Sequence, residues 1–203
     1  MATQSSRPTN AISVQLFLVA LLTVGAWSSN EVCAQPSPST AEALGAFDVV
    51  RSVFQHPRCQ NCHIPGDAPL QTDGGFVHAQ SVMRGPDGHG AAAMECAVCH
   101  RDQNLPVSYG NHVPPGAPNW HLPPPETKMI FIGLSPGELC RAIKDRRNTG
   151  GKDLAAMMAH VRDDKLVAWG WSPGEERTVP PATRAETVAA FKTWMNAGAP
   201  CPL

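Results

Sequence analysis

Two copies of one five-residue pattern constrain this chain more than any other feature of its sequence. Cys59-Gln60-Asn61-Cys62-His63 and Cys96-Ala97-Val98-Cys99-His100 each place two thiols three positions apart, with a histidine directly after the second thiol. Thiols at this spacing can add across the two vinyl groups of a haem, and the histidine then presents its imidazole to the iron. The pattern predicts two covalently attached haems c, with His63 and His100 as proximal iron ligands.

Other uses of four paired cysteines fit the sequence less well. The two pairs of a four-thiolate zinc site are usually about 15–20 residues apart, closer than the pairs here. Zinc also gives no reason for a histidine after each pair. Two small disulfides are a further alternative. A thioredoxin-like redox pair should open a helix directly after a strand, and no strand is predicted before either motif.

The N-terminal segment predicts export. Arg7 is the only charged residue before an apolar run at residues 11–27, and Val32-Cys33-Ala34 has the small-x-small pattern of a cleavage site. The run is shorter than the roughly 20 residues that cross a bilayer. We therefore expect a cleaved signal peptide at residues 1–34 rather than a membrane anchor, with Val24-Gly25-Ala26 as an alternative, earlier site. Residues 35–203 would then form one domain in the periplasm, and only an uncleaved signal would touch a membrane.

The composition predicts many loops and little side-chain core. The chain contains 20 prolines and 17 glycines, and only 6% of its residues are aromatic. Two buried macrocycles would supply the missing apolar mass, so we expect a mainly α, loop-rich, cytochrome c-like domain around two covalently bound haems. The formal net charge is -1 and no basic stripe is present, so no nucleic-acid partner is predicted.

The sequence predicts four helices, each with a recognisable start, and no strand. Apolar residues recur at helical spacing along each helix, and capping residues precede them. The predicted helices are Ala41–Phe54, capped by Ser39 or Thr40; one that begins at the capping box Ser135–Glu138 and runs to about Arg147; a short one capped by Asp153; and a last one at about Thr183–Ala197.

A second axial ligand for each iron should be a histidine or a methionine. His78 and His121 are the first candidates, because His78 follows an apolar pair between the two motifs and His121 lies in a rigid, apolar stretch. His89 lies among glycines and looks exposed, and His56 is too close to Cys59 to reach across its own haem. The other candidates are His112 and His160, then Met83, Met94, Met157 and Met158. For each of them an ordinary structural role is the alternative.

Three cysteines lie outside the haem motifs. Cys33 would leave with the signal peptide, so Cys140 and Cys201 remain as an even pair in an oxidising compartment. A disulfide that pins the C-terminus is the simplest prediction. Two free, buried thiols are the alternative.

Several further stretches of sequence are distinctive. With the two motifs they read HPRCQNCH (56–63), GDAPLQ (66–71), MECAVCH (94–100), PPGAPNWHLPPP (114–125), GELCRAIKD (137–145), LVAWGW (166–171) and WMNAGAPCP (194–202). In these stretches, which cover most of residues 50–202, the chain resembles small periplasmic dihaem cytochromes c. It resembles in particular the cytochrome subunit of isoquinoline 1-oxidoreductase-type molybdenum hydroxylases. The haem motifs are specific for haem attachment, and the other stretches only for the family.

The resemblance implies a single-electron carrier that accepts electrons from a molybdenum hydroxylase and passes them towards the respiratory chain. The sequence contains no molybdopterin or flavin motif, so hydroxylation would occur on the partner and the chain itself would not be an enzyme. Two alternatives stay open. A dihaem peroxidase keeps one iron five-coordinate, but such enzymes are usually larger. A haem-based sensor would normally bring an output domain.

The two motifs generate a direct prediction about mass. Protein exported by a host with cytochrome c maturation should gain the mass of two haems and keep its haem stain after denaturation. The double substitution Cys59→Ala and Cys62→Ala should leave one haem. Intact-mass spectrometry of the denatured protein tests this, and a mass without covalent haem would contradict the central interpretation.

Overall fold

The computed structural model describes residues 37–203, apart from Asn111 and Glu175. These residues belong to one compact unit, Pro36–Leu203. The predicted signal peptide at residues 1–34 lies outside the described residues. Within the described part, none of the helices combines the length and the apolar content that a membrane crossing requires.

The domain is mainly helical and rich in loops, as the sequence predicts. Six α-helices carry most of its regular structure, together with two very small hairpins and three short 3-10 helices. The α-helices are α1 (Thr40–Phe54), α2 (Pro57–Gln60), α3 (Pro136–Lys144), α4 (Leu154–Asp163), α5 (Lys165–Trp169) and α6 (Arg184–Asn196), and the 3-10 helices are Cys96–Val98, Val107–Tyr109 and Pro125–Thr127.

Capping residues start the four long helices where the sequence predicts them. Ser39, Ser135 and Thr183 each form a complete capping box with the glutamate three residues on, and the Asp153 carboxylate accepts from the N–H of Ala156. Each box satisfies backbone N–H groups that have no partner inside the helix. These four helix starts are confirmed.

The end of α3 differs from the prediction. The helix stops at Lys144, not near Arg147, because Asp145 turns the backbone to an extended conformation. The carboxylate of Asp145 accepts from the backbone N–H of Arg147 at 3.0 Å. This local bond competes with helical hydrogen bonds, as aspartate side chains commonly do.

The prediction of no strands is also wrong. Strands β1 (Leu70–Gln71) and β2 (Phe76–Val77) pair antiparallel, and so do β3 (Gly90–Ala91) and β4 (Met94–Glu95). Each strand has only two residues, which is too short to produce a recognisable alternation of apolar and polar side chains. The first hairpin follows the first Cys-x-x-Cys-His motif, and the second leads directly into the other motif.

The hydrophobic core is built by the helices. Phe47 on α1 packs against Trp194 on α6 with ring centroids 5.0 Å apart, and Phe191 meets Trp194 edge-on at 5.4 Å. Leu139 and Met157 bring α3 and α4 into the same buried cluster. The residues from 56 to 133, which contain both motifs, contribute little to this cluster and consist mainly of loops.

The C-terminal segment is fixed against the helical core at three points. A disulfide joins Cys140 on α3 to Cys201, which confirms the predicted pairing. The Trp194 indole N–H donates to the carbonyl of Pro200 at 2.8 Å, and the Lys144 ammonium donates to the carbonyl of Ala199 at 2.6 Å. Each of the two hydrogen bonds satisfies a polar group beside the core. Together with the disulfide, they hold the last residues of the chain against the core.

Removing the disulfide should lower stability substantially. It spans 61 residues, and in the chain-entropy model a loop of that size contributes about 4 kcal/mol to the free energy of unfolding. We expect the double substitution Cys140→Ala and Cys201→Ala to lower that free energy by roughly this amount while the haem content stays unchanged. Chemical denaturation measures the loss. Thiol labelling of the unfolded, unreduced wild-type protein should modify neither cysteine, and labelling of both would contradict the bridge.

Candidate cofactor site

The first motif begins on α2, which follows α1 after two residues. Pro57 occupies the first turn of α2, and the His56 side chain accepts from the N–H of Arg58, so both residues favour a helix that begins here. Cys59 lies on this short helix, and the N–H of His63 donates to the carbonyl of Cys59 at 3.3 Å. The two thiols and the histidine of the motif are therefore carried on one continuous turn of chain.

His63 is held by the segment from Met129 to Phe131. Its Nδ1 lies 2.9 Å from the carbonyl oxygen of Met129, and its ring stacks on Phe131 with centroids 4.0 Å apart. The carbonyl of His63 also accepts from the N–H of Phe131 at 2.9 Å. Burial lowers the pKa of His63 to about 4, so its imidazole is neutral at pH 7. A carbonyl can only accept, so Nδ1 carries the hydrogen and Nε2 keeps its lone pair.

The second motif repeats this arrangement with different residues. Hairpin β3–β4 leads into the 3-10 helix Cys96–Val98, and the N–H of His100 donates to the carbonyl of Cys96 at 2.9 Å. His100 Nδ1 lies 2.7 Å from the carbonyl oxygen of Pro115, and its ring stacks on Trp120 at 4.3 Å with nearly parallel planes, 3° apart. Burial lowers the pKa of His100. Nε2 of His100 is thus also left with a free lone pair.

Both histidines therefore satisfy what an iron ligand requires. A ligating imidazole normally donates its second ring N–H to a carbonyl or carboxylate, which fixes its tautomer and its plane. Met129 and Pro115 supply those carbonyls, and Phe131 and Trp120 restrict the ring planes. The sequence identified His63 and His100 but not their partners, because a main-chain carbonyl 15 or 66 residues away leaves no local signal.

The four motif cysteines carry free thiols. Burial raises the pKa of Cys59 to about 12 and that of Cys62 to about 11. A reactive redox pair instead needs a thiol whose pKa is lowered. The first motif also follows a helix, whereas the second follows strand β4 directly. Its place in the fold therefore disfavours a thioredoxin-like pair only at the first motif. At the second motif, burial raises the pKa of Cys96, which disfavours a reactive thiol there as well.

A four-thiolate zinc site finds no support in the arrangement. Among the residues that the structure describes, no three histidine, cysteine, aspartate or glutamate side chains come together as a metal site. A haem iron needs only one or two protein ligands, because the porphyrin supplies the other four nitrogens.

Exposed apolar side chains cluster in the same part of the chain. Large apolar residues rarely remain exposed in groups unless they bind something. Hairpin β1–β2 carries two of them and the second motif carries one, and a flat apolar macrocycle is a suitable partner for such side chains. Seven of the exposed large apolar residues lie between residues 76 and 109: Phe76, Val77, Met83, Met94, Val98, Val107 and Tyr109.

The two first candidates for a second axial ligand lie in different surroundings. His78 follows β2, and its ring meets that of His100 edge-on, with centroids 6.3 Å apart. His121 stacks instead on His89 at 5.1 Å, and its Nδ1 lies 2.6 Å from the carbonyl of Asn119. The structure therefore brings His78 to the second motif, whereas it pairs His121 with another loop histidine.

The remaining histidines differ in how they are held. His160 on α4 has Nδ1 3.3 Å from Asp164, and its charge is one of the lesser causes, after burial, of the lowered pKa of His63. His112 is almost fully exposed, with 89% of its side chain accessible. His56 has both ring nitrogens engaged, by the N–H of Arg58 and by the Thr178 hydroxyl. Of the methionine candidates, Met157 is buried in the helical core.

Arg84 links the loops around the first motif, and this role is not predicted from the sequence. Its side chain is 1% exposed. The guanidinium donates to the carbonyl of Gly66 at 2.9 Å, to the carbonyl of Pro123 and to the Asp67 carboxylate at 3.3 Å. The backbone N–H of Arg84 donates to the carbonyl of Asp67 at 2.7 Å. One buried cation thus joins the chain after His63 to the proline-rich segment.

Comparison of the chain with family models, with curated proteins and with solved structures gives no match. The resemblance to dihaem cytochromes c therefore stays a prediction.

The environment of Arg84 generates a stability prediction. Arg84→Ala should lower the free energy of unfolding by about 2–4 kcal/mol, because the carbonyls of Gly66 and Pro123 lose their donor, whereas the half-exposed Asp67 carboxylate keeps Lys128 as a partner. Arg162→Ala is the matched control. Arg162 pairs with Asp163 on the surface, so no measurable change is expected. Denaturant titration of both variants tests this, and equal midpoints would show that Arg84 does not hold the loops.

Proposed function

We propose that this chain is an exported c-type cytochrome that binds two haems and carries single electrons in the periplasm. One observation supports this most strongly. Each Cys-x-x-Cys-His histidine is partly buried, donates Nδ1–H to a main-chain carbonyl and stacks on an aromatic ring. Two segments of unrelated sequence thus orient their imidazoles in the same way, and in each case Nε2 remains free to bind an iron.

Each group of residues has a distinct role in this proposal. Cys59, Cys62, Cys96 and Cys99 hold the porphyrins through thioether bonds. His63 and His100 bind the irons through Nε2, and the carbonyls of Met129 and Pro115 increase the basicity of these imidazoles. The bound haem supplies a one-electron iron couple, and the protein tunes its potential through ligands, hydrogen bonds and burial.

The two attachment segments lie close enough for electrons to pass between them. Burial is the main cause of the raised pKa of Cys62, and the neighbouring Cys96 contributes to it. An aromatic pair also connects the segments. Trp120, which stacks on His100, meets Trp169 edge-on at 4.9 Å, and the Arg58 guanidinium lies 5.7 Å from the centre of the Trp169 ring. Arg58 directly precedes Cys59, so this contact path joins both motifs.

Asn104 supports the second half of this path. Its side-chain oxygen accepts from the N–H of Gly116 at 3.0 Å and from the Trp169 indole N–H at 3.1 Å. Gly116 follows Pro115, whose carbonyl binds His100. One amide therefore fixes both the carbonyl that orients the imidazole and the indole that packs behind Trp120.

The electron donor is proposed from the family resemblance alone. In that family the cytochrome accepts electrons from a molybdenum hydroxylase, and the hydroxylation takes place on that enzyme. The present chain would receive the electrons one at a time and release them to the next periplasmic carrier.

A carrier should change its geometry little between oxidation states, and two strong axial ligands on each iron achieve this. We therefore expect both haems to be six-coordinate and low-spin, with histidine the commoner second ligand. The reduced protein should bind carbon monoxide poorly and turn over peroxide at a negligible rate. Electron paramagnetic resonance and carbon monoxide titration measure these properties.

The same measurements identify the competing function. A dihaem peroxidase needs one five-coordinate iron that is open to peroxide. If the native protein contains a high-spin haem that binds carbon monoxide rapidly and consumes peroxide, the carrier proposal is wrong and the enzyme replaces it.

A further inference from the structure

Hairpin β1–β2 connects the first motif to the second. The N–H of Leu70 donates to the carbonyl of Asn61 at 2.9 Å, and the Asn61 side chain donates to the carbonyl of Thr72 at 2.8 Å. The hairpin is thus anchored between the two cysteines of the first motif. His78 directly follows β2, and its N–H donates to the carbonyl of Pro69 at 3.0 Å. This bond extends the hairpin by one residue and fixes the backbone of His78.

His78 faces the imidazole of the second motif at a distance that suits a shared iron. The two ring centroids are 6.3 Å apart. An iron–nitrogen bond of roughly 2 Å, plus about 1.2 Å from the nitrogen to the ring centre, separates the centres of two axial imidazoles by about 6.4 Å.

The chemistry of the two rings also fits. Nδ1 of His100 is occupied by Pro115, which leaves Nε2. Nδ1 of His78 is buried and has no hydrogen-bond partner within the described part of the chain. A buried ring nitrogen without a partner destabilises the fold, so a group that engages this imidazole is expected.

From these observations we propose that His78 is the second axial ligand of the iron attached at Cys96, Cys99 and His100. This assignment rests on the proposed function and adds to it the identity of one iron ligand. That haem would have two histidine ligands, and His78 would be supplied by the hairpin that is anchored on Asn61 of the first motif. His121, the other first candidate, does not ligate this iron.

The test compares His78→Ala with His121→Ala in the full-length, haem-loaded protein. We expect His78→Ala to convert the haem at Cys96 and Cys99 to a high-spin form that binds carbon monoxide, while His121→Ala leaves that haem low-spin. Added imidazole should restore the low-spin spectrum of His78→Ala, which a general folding defect would not allow. His78→Met should keep a low-spin iron and raise its midpoint potential, because a thioether favours the reduced state.

The affected haem can be identified by removing the other one. In a Cys59→Ala, Cys62→Ala background only the second haem remains, so adding His78→Ala should make all of the haem high-spin. If the iron stays low-spin there, or if imidazole does not rescue it, the assignment is wrong although the carrier proposal stands. If the native second haem is already high-spin, the assignment and the carrier proposal fail together, and the native spectrum alone shows this.

Discussion

The buried guanidinium of Arg84 is the constraint on which the motif-bearing half of this domain depends. Between residues 56 and 133 the backbone has few regular hydrogen bonds, since the hairpins contain two residues per strand. Main-chain carbonyls in such loops still need donors when they are buried. Arg84 supplies several at once, to Gly66, Pro123 and the Asp67 side chain. The Arg84 side chain thus supplies donors to loop carbonyls that strand pairing would supply in a sheet.

The helical half provides a rigid support for that loop region. Trp194 and Phe47 anchor α1 and α6 against each other, and α2 follows α1 after only two residues. The orientation of the first motif is therefore set by the best-packed helix of the domain. Phe131 continues this contact, because it stacks on Phe54 of α1 on one side and on His63 on the other. The aromatic core and the proposed iron ligand belong to one packed series of rings.

The sequence was sufficient for features that depend on neighbouring residues. The helix start at Ser135 follows from a capping box of four consecutive residues, and each Cys-x-x-Cys-His motif is recognised from five consecutive residues. The pairing of Cys140 with Cys201 followed from counting cysteines. Features that depend on distant partners were not visible. The carbonyl of Met129 beside His63 and the role of Arg84 result from loop folding, which leaves no periodic pattern.

The burial of Cys59 and Cys62 has a consequence for how six cysteines are sorted during maturation. In the proposed function Cys140 and Cys201 become oxidised in the periplasm, while the four motif thiols have to stay reduced until haem attachment. Only the thiolate attacks another sulfur, and burial, which raises the pKa values to about 12 and about 11, leaves Cys59 and Cys62 almost fully protonated. The packing that shapes the first motif therefore also protects its sulfur atoms from forming the wrong disulfide.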